Sequence, residues 1–163
     1  MGVWRPAYIG VGSNLDDPRA QVKKAIERLR AVRDTRVIAV SPLYGSVPFG
    51  PMKQADFVNG VVGVLTQLDA LALLGEMRAL ETALGRPAQH EKWGPRVIDL
   101  DLLVYGRERR EDTALTIPHP GIPARNWVLY PLADIAPDLD VPGLGRVAGL
   151  KGRITPEGLW PCG

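Results

Sequence analysis

The stretch Val97-Ile98-Asp99-Leu100-Asp101-Leu102-Leu103-Val104-Tyr105 constrains the fold of this chain more than any other. It is rich in β-branched and apolar residues and is closed by Gly106, which predicts a strand. Side chains alternate faces along a strand, so Ile98, Leu100, Leu102 and Val104 share one face and must pack on a core. Asp99 and Asp101 share the other face. Two residues span about 6.6 Å along a strand, so both carboxylates can converge on one or two cations. The Gly94-Pro95 turn sets Trp93 and Arg96 just ahead of the strand, with Arg96 placed to handle a phosphate. Acid pair, arginine and aromatic together suggest a metal–phosphate site. An Asp-x-Asp pair taken alone also fits a half-exposed edge strand with two solvated carboxylates.

The 163 residues are enough for one domain with a proper core, and the expectation is a single domain over residues 1–163. The 18 glycines and 15 prolines imply many turns without reaching the range of low-complexity chains. A formal charge of +2, from 20 basic and 18 acidic residues, gives no global pull toward nucleic acid or an anionic membrane. Any anion site must therefore be a local cluster. The one cysteine, Cys162, excludes an intrachain disulfide and a cysteine-based zinc cage. Met1-Gly-Val-Trp-Arg-Pro6 lacks the apolar run of a signal peptide, and no segment approaches membrane-spanning length, so a cytoplasmic location is expected.

Ala7 to Val11 reads as a first strand. Asp16 or Asp17 can cap a following helix whose buried stripe is Val22, Ala25, Ile26 and Leu29. Gly10-Val11-Gly12 lacks the third glycine of a dinucleotide loop, and no P-loop exists anywhere in the chain. Arg36–Tyr44 and Phe57–Leu65 read as the second and third strands. The long connection between them, Gly45 to Asp56, is of a kind that is often functional. Asn59 is a polar residue in an apolar strand, either a satisfied core amide or a reader of a heterocycle edge. Leu68–Leu84 is a helix with Asp69 as N-cap, on which Arg78 and Glu81 lie one turn apart and can pair. His119 sits in the rigid turn Pro118-His-Pro-Gly-Ile-Pro123, shortly before Arg125 and Trp127, and Val128–Ala136 is a short helix candidate. The tail from Pro137 carries no clear pattern. The order β-α-β-β-α-β predicts an α+β fold with a ferredoxin-like core, a mainly antiparallel sheet with helices on one face, plus C-terminal additions.

The motifs Trp93-Gly-Pro-Arg-x-Ile-Asp-Leu-Asp101 and Ile117-Pro-His119 with Arg125 downstream, supported by Tyr8-Ile-Gly-x-Gly-Ser-Asn14 and Asp56-Phe-x-Asn59, resemble the 6-hydroxymethyl-7,8-dihydropterin pyrophosphokinase family. The resemblance runs from Ala7 to about Leu139. It implies transfer of diphosphate from ATP to the pterin hydroxymethyl group, leaving AMP, a step of folate biosynthesis. It implies that Asp99 and Asp101 hold two Mg2+ ions and that Arg86 and Arg96 act with them in catalysis. The pterin would lie between Phe57 and Trp127, with Asn59 reading its edge and Ser46, Val47 and Phe49 lining it. ATP would meet Arg78, Glu81, Lys92, Trp93, Arg96, Leu102, Thr116, His119 and Arg125. The implied partners are these two small molecules, with no nucleic acid and no membrane, and a monomer is expected. The chain departs from the family pattern in two places. Ala88-Gln89 stands where a second basic residue usually follows Arg86, with His90 or Lys92 left to compensate, and Pro120 follows His119 where an aromatic is common.

The rival readings are a nucleotide- or RNA-binding α+β module without catalysis and a two-metal phosphohydrolase. The first conflicts with a sheet face that offers aspartates to phosphate and with the lack of a Lys/Arg-Gly-Phe-x-Phe strand pattern. The second is allowed by the acid pair alone, and the products separate it from diphosphate transfer.

Overall fold

The structure is a computed structural model that describes residues 2–48, 50–51, 53–85 and 97–162. Phe49, Arg86, Lys92, Trp93 and Arg96 lie outside the described residues, as do Ala88, Gln89 and His90.

The elements run β1 (Arg5–Ser13), α1 (Pro18–Leu29), β2 (Thr35–Val40), β3 (Tyr44–Ser46), β4 (Phe57–Thr66), α2 (Ala70–Ala83), β5 (Asp99–Tyr105), β6 (Arg110–Glu111), β7 (Thr116–Ile117), α3 (Asn126–Ile135), β8 (Asp140–Val141), β9 (Gly145–Arg146), α4 (Val147–Lys151) and β10 (Leu159–Pro161). The main sheet has the order β10-β3-β4-β1-β5, with β2 also on β4, and every pairing is antiparallel. Its core order β5-β1-β4-β2 is the ferredoxin-like arrangement expected from the sequence. No helix of the described residues is long and apolar enough to cross a membrane.

Alternation on β1 decides which side is which. Ala7, Ile9 and Val11 are fully or almost fully buried against α1 and α2, together with Leu73, Met77, Leu100 and Leu102. Asp17 caps α1 by accepting from Ala20 N–H, and Asp69 caps α2 by accepting from Ala72 N–H at 2.8 Å. The opposite face is not left open. A second core of Val61, Leu103, Val104, Val128, Leu129 and Leu132 packs α3 against it. The two helices of the ferredoxin-like core, α1 and α2, cover one side as expected, and α3, a C-terminal addition, covers part of the other.

Two strands also differ from their sequence expectation. The run Arg36–Tyr44 is broken into β2 and β3 because Pro42 has no N–H to donate. At the break, the Ser41 hydroxyl takes over as acceptor for Val61 N–H at 2.9 Å. On β5 the pairing slips, since Tyr8 faces Val104 while Ile9 faces Leu102. Leu103 is therefore the extra residue of a bulge. Beyond it the alternation inverts, so Tyr105 joins the α1/α2 core and Val104 the other, not the face it would share with Leu102 in a regular strand.

Candidate active site

The site is built on the middle of the sheet, on the face that α3 covers only in part. Asp99 and Asp101 project from β5 beside the glycines of β1: Gly12 pairs with Asp99 and Gly10 with Asp101. On the other side of β1, Gly12 pairs with Asn59 of β4. Without Cβ atoms the two glycines leave a bare backbone floor between the acids and the amide. A Cβ at Gly12 would lie 2.7 Å from Asn59 Oδ1, so a side chain there would displace the Asn59 amide. Gly12→Ala is expected to push Asn59 aside and to raise the KM of the ligand that Asn59 reads by about tenfold, with little change in the KM of the ligand at the acid pair. Steady-state kinetics with each ligand varied in turn checks this.

Asn59 is buried and donates through Nδ2 to Ser46 Oγ at 2.7 Å. That bond fixes the amide orientation and couples β3 to β4. Phe57 opens β4 and pairs with Ser46, so Phe57, Asn59 and Ser46 share the site face. Trp127 begins α3, half-buried, with the Arg125 guanidinium 5.8 Å from its ring centroid. Val47 is exposed beside this group.

The electrostatics concentrate at the acids. Burial, then the charge of Asp99, pushes the Asp101 carboxyl up from 3.8 to about 7, with Arg125 and Arg78 opposing and Glu81 adding. Asp101 thus keeps its proton to near neutral pH unless a cation joins it. His119 approaches Asp101 with Nε2 4.0 Å from Oδ1. Its Nδ1 accepts from Gly121 N–H at 2.9 Å, which places the ring proton on Nε2, facing the acid. Burial, then Arg125, lowers the ring to about 4, so His119 is neutral at pH 7 and donates to the site without adding charge. The backbone N–H of His119 bonds to the carbonyl of Leu103 at 2.8 Å, so the bulge anchors the proline-rich turn.

On the far edge of β5, Glu81 and Arg78 occupy the place of a neighbouring strand. Leu100 N–H donates to Glu81 Oε2 at 2.8 Å, and Arg78 Nη1 donates to the Leu100 carbonyl at 2.9 Å and to Glu81 Oε1 at 2.7 Å. Glu81 is 3% exposed, so it faces β5 and not solvent.

Of the residues expected at the site, Ser46, Asn59, Phe57, Asp99, Asp101, His119, Arg125 and Trp127 lie on this face or at its rim. Leu102 turns its side chain into the α1/α2 core and can present only its backbone. Thr116 is exposed on β7. Asn14 supplies a tie that its motif alone did not assign, donating to Gln54 Oε1 at 2.8 Å and to the Ala55 carbonyl at 3.0 Å, and so fastens the loop before β4 to the end of β1. Among the described residues no cluster of three or more acids, histidines or cysteines exists that could hold a metal without further ligands.

The chain is 44% identical over 155 residues to a 2-amino-4-hydroxy-6-hydroxymethyldihydropteridine pyrophosphokinase of Pseudomonas aeruginosa, covering 95% of this chain and 90% of that one. It is 40% identical over 136 residues to the enzyme of the same name from Haemophilus influenzae, covering 83% and 84%. In fold it is similar to the Plasmodium falciparum HPPK-DHPS protein solved with pteroate, at a TM-score of 0.75 and 15% identity, covering 94% of this chain and 43% of that longer one. The family model described as 7,8-dihydro-6-hydroxymethylpterin-pyrophosphokinase matches residues 8–137, and the chain belongs to that family.

Proposed function

We propose that this chain, a pyrophosphokinase of folate biosynthesis that uses ATP, transfers the β,γ-diphosphate to the hydroxymethyl oxygen of 6-hydroxymethyl-7,8-dihydropterin by in-line attack, with two Mg2+ ions at Asp99 and Asp101. The observation that carries the reading is the floor of Gly10 and Gly12, which sets an acid pair on one side of β1 and a buried, oriented amide on the other. The new bond forms between the pterin oxygen and the β-phosphorus, the bond from that phosphorus to the α,β-bridging oxygen breaks, AMP leaves with that oxygen, and the hydroxyl proton passes to water.

The residues fit the ions. Two partly exposed carboxylates, one raised to about 7 by burial and by its neighbour's charge, suit Mg2+, which prefers few carboxylates plus phosphate oxygens and waters. When bound, Mg2+ supplies charge neutralisation on the transferring phosphates. Asp99 and Asp101 hold that charge in place. His119 donates from Nε2, and Arg125, with Arg96 and Arg86 by resemblance, adds positive charge where negative charge spreads. Phe57 and Trp127 flank the pterin, Asn59 reads its edge, and Ser46 keeps Asn59 from turning. Thr116, Lys92, Trp93 and the Leu102 backbone belong to the ATP side, and Val47 and Phe49 to the pterin side. One chain supplies both sides, which supports a monomer.

Product analysis tests the reaction. AMP and pterin diphosphate should form in equal amounts, only with Mg2+. ADP or free phosphate as the main product would point to a monophosphate kinase or a phosphohydrolase. Trp127→Ala should weaken pterin binding by about 1–3 kcal/mol and ATP binding far less. Calorimetry showing equal weakening of both would make Trp127 a core residue only.

A further inference from the structure

We infer that the C-terminal segment, residues 154–162, is a positioning strap that ties together the two walls of the acceptor half-site and so sets affinity for the pterin. The inference rests on the reading of Ser46, Asn59 and Trp127 as that half-site, and it concerns residues beyond the 8–137 that the family model matches.

The first wall is β3. It has three residues, too few to hold its own register on β4. β10 pairs along its outer edge, with Leu159 opposite Ser46, Trp160 opposite Gly45 and Pro161 opposite Tyr44. The pairing continues past both ends: Val47 N–H donates to the Gly158 carbonyl at 3.0 Å, and Cys162 N–H to the Leu43 carbonyl at 3.0 Å. The Trp160 ring lies directly on Gly45, where an added Cβ would sit 2.3 Å from it. Ser46 is therefore clamped between β10 and the amide of Asn59.

The second wall is the start of α3. Asn126 is buried, next to Trp127, and its Nδ2 donates to the carbonyls of Thr155 at 3.1 Å and Glu157 at 2.8 Å. Tyr130 Oη, one turn on, donates to the Ile154 carbonyl at 3.3 Å. The same short segment thus bonds to the residue before Trp127 and to the residue after Ser46. Among the described residues, the hydrogen bonds that link this segment to the sheet and to α3 go to Leu43, Val47, the β3 strand, Asn126 and Tyr130. A shift of the strap moves the aromatic wall and the Ser46–Asn59 bond relative to each other and leaves β5 alone.

The test is steady-state kinetics on the full chain with Trp160→Ala, Asn126→Ala and Gly45→Ala, and with Asn59→Ala as the measure of the half-site itself. Each strap variant should raise the pterin KM about tenfold, with ATP KM and kcat within about twofold of the parent. Trp160→Ala should relieve Gly45→Ala, so the double variant should be no worse than Gly45→Ala alone. If Asn59→Ala leaves the pterin KM unchanged, the half-site is misplaced and the strap loses its object. If Asn59→Ala raises it while Trp160→Ala and Asn126→Ala do not, the half-site stands and the strap is overturned. A common rise in both KM values, or a fall in kcat in step with Tm, would make the segment ordinary scaffold and would equally overturn it.

Discussion

An Asp101→Asn protein is expected to retain less than about 1% of turnover and, without Mg2+, to unfold at a higher temperature than the parent at pH 8. The two effects have one source. In the folded chain burial and Asp99 push Asp101 from 3.8 to about 7. A carboxyl whose pKa rises on folding favours the folded state below its unfolded value, and that advantage is lost as pH rises through the folded value. The parent should therefore lose stability between about pH 4 and pH 7, and the asparagine variant should lose less. The Asp101 side chain is 32% exposed, so solvent screens the effect, which is of the order of 1–2 kcal/mol at pH 8 and vanishes near pH 3. Mg2+ with a non-hydrolysable ATP analogue should reverse the order, since the parent alone gains from both. Asp99→Asn should behave alike in turnover, and the double change should cost little more than the worse single one. Turnover near the parent's at saturating Mg2+ would refute the metal assignment.

Glu81→Ala should cost about 3 kcal/mol of stability and lower turnover by about ten- to hundredfold. Glu81 is 3% exposed, with one oxygen on Leu100 N–H and the other on Arg78. Its removal orphans a buried N–H and strips Arg78 of its carboxylate partner, leaving it the Leu100 carbonyl. Leu100 lies between Asp99 and Asp101 on an edge strand, so the loss frees the segment that aims both carboxylates. Thermal unfolding and kcat read together decide the matter. A raised ATP KM with Tm unchanged would instead make Glu81 a direct ATP contact, as the resemblance implies.

Local patterns made much of this legible. The helix stripes, the Asp69 cap and the acid pair on β5 follow from spacing within a few residues, and the structure bears them out; of Asp16 and Asp17, both open as the cap of α1, the structure uses Asp17. The bulge at Leu103 was not legible, because Leu102-Leu103-Val104 is apolar throughout and no polar residue marks where alternation slips. The split of β2 from β3 had a signal in Pro42 that a continuous apolar run concealed. The placement of α3 opposite α1 and α2 depends on which sheet face is left uncovered, a non-local fact. The tie from Asn126 to Thr155 and Glu157 joins residues far apart in sequence, and neither end is unusual in its own window. His119 and Asn59 were visible as oddities of composition. Which atom each one spends, Nδ1 on Gly121 and Nδ2 on Ser46, only the folded chain shows.

Gly12 has Asp99 as its partner on one side and Asn59 on the other. The two half-sites therefore stand two strand spacings apart, about 9.6 Å. That stride belongs to peptide hydrogen bonding and is indifferent to side chains. Loops that frame either half-site can drift, lengthen or exchange residues, and they will change how tightly each molecule is held. They leave the strand spacing between the acid pair and the amide unchanged. Any descendant chain that keeps this pairing inherits the same ruler, and with it the same span between the acid pair and the amide.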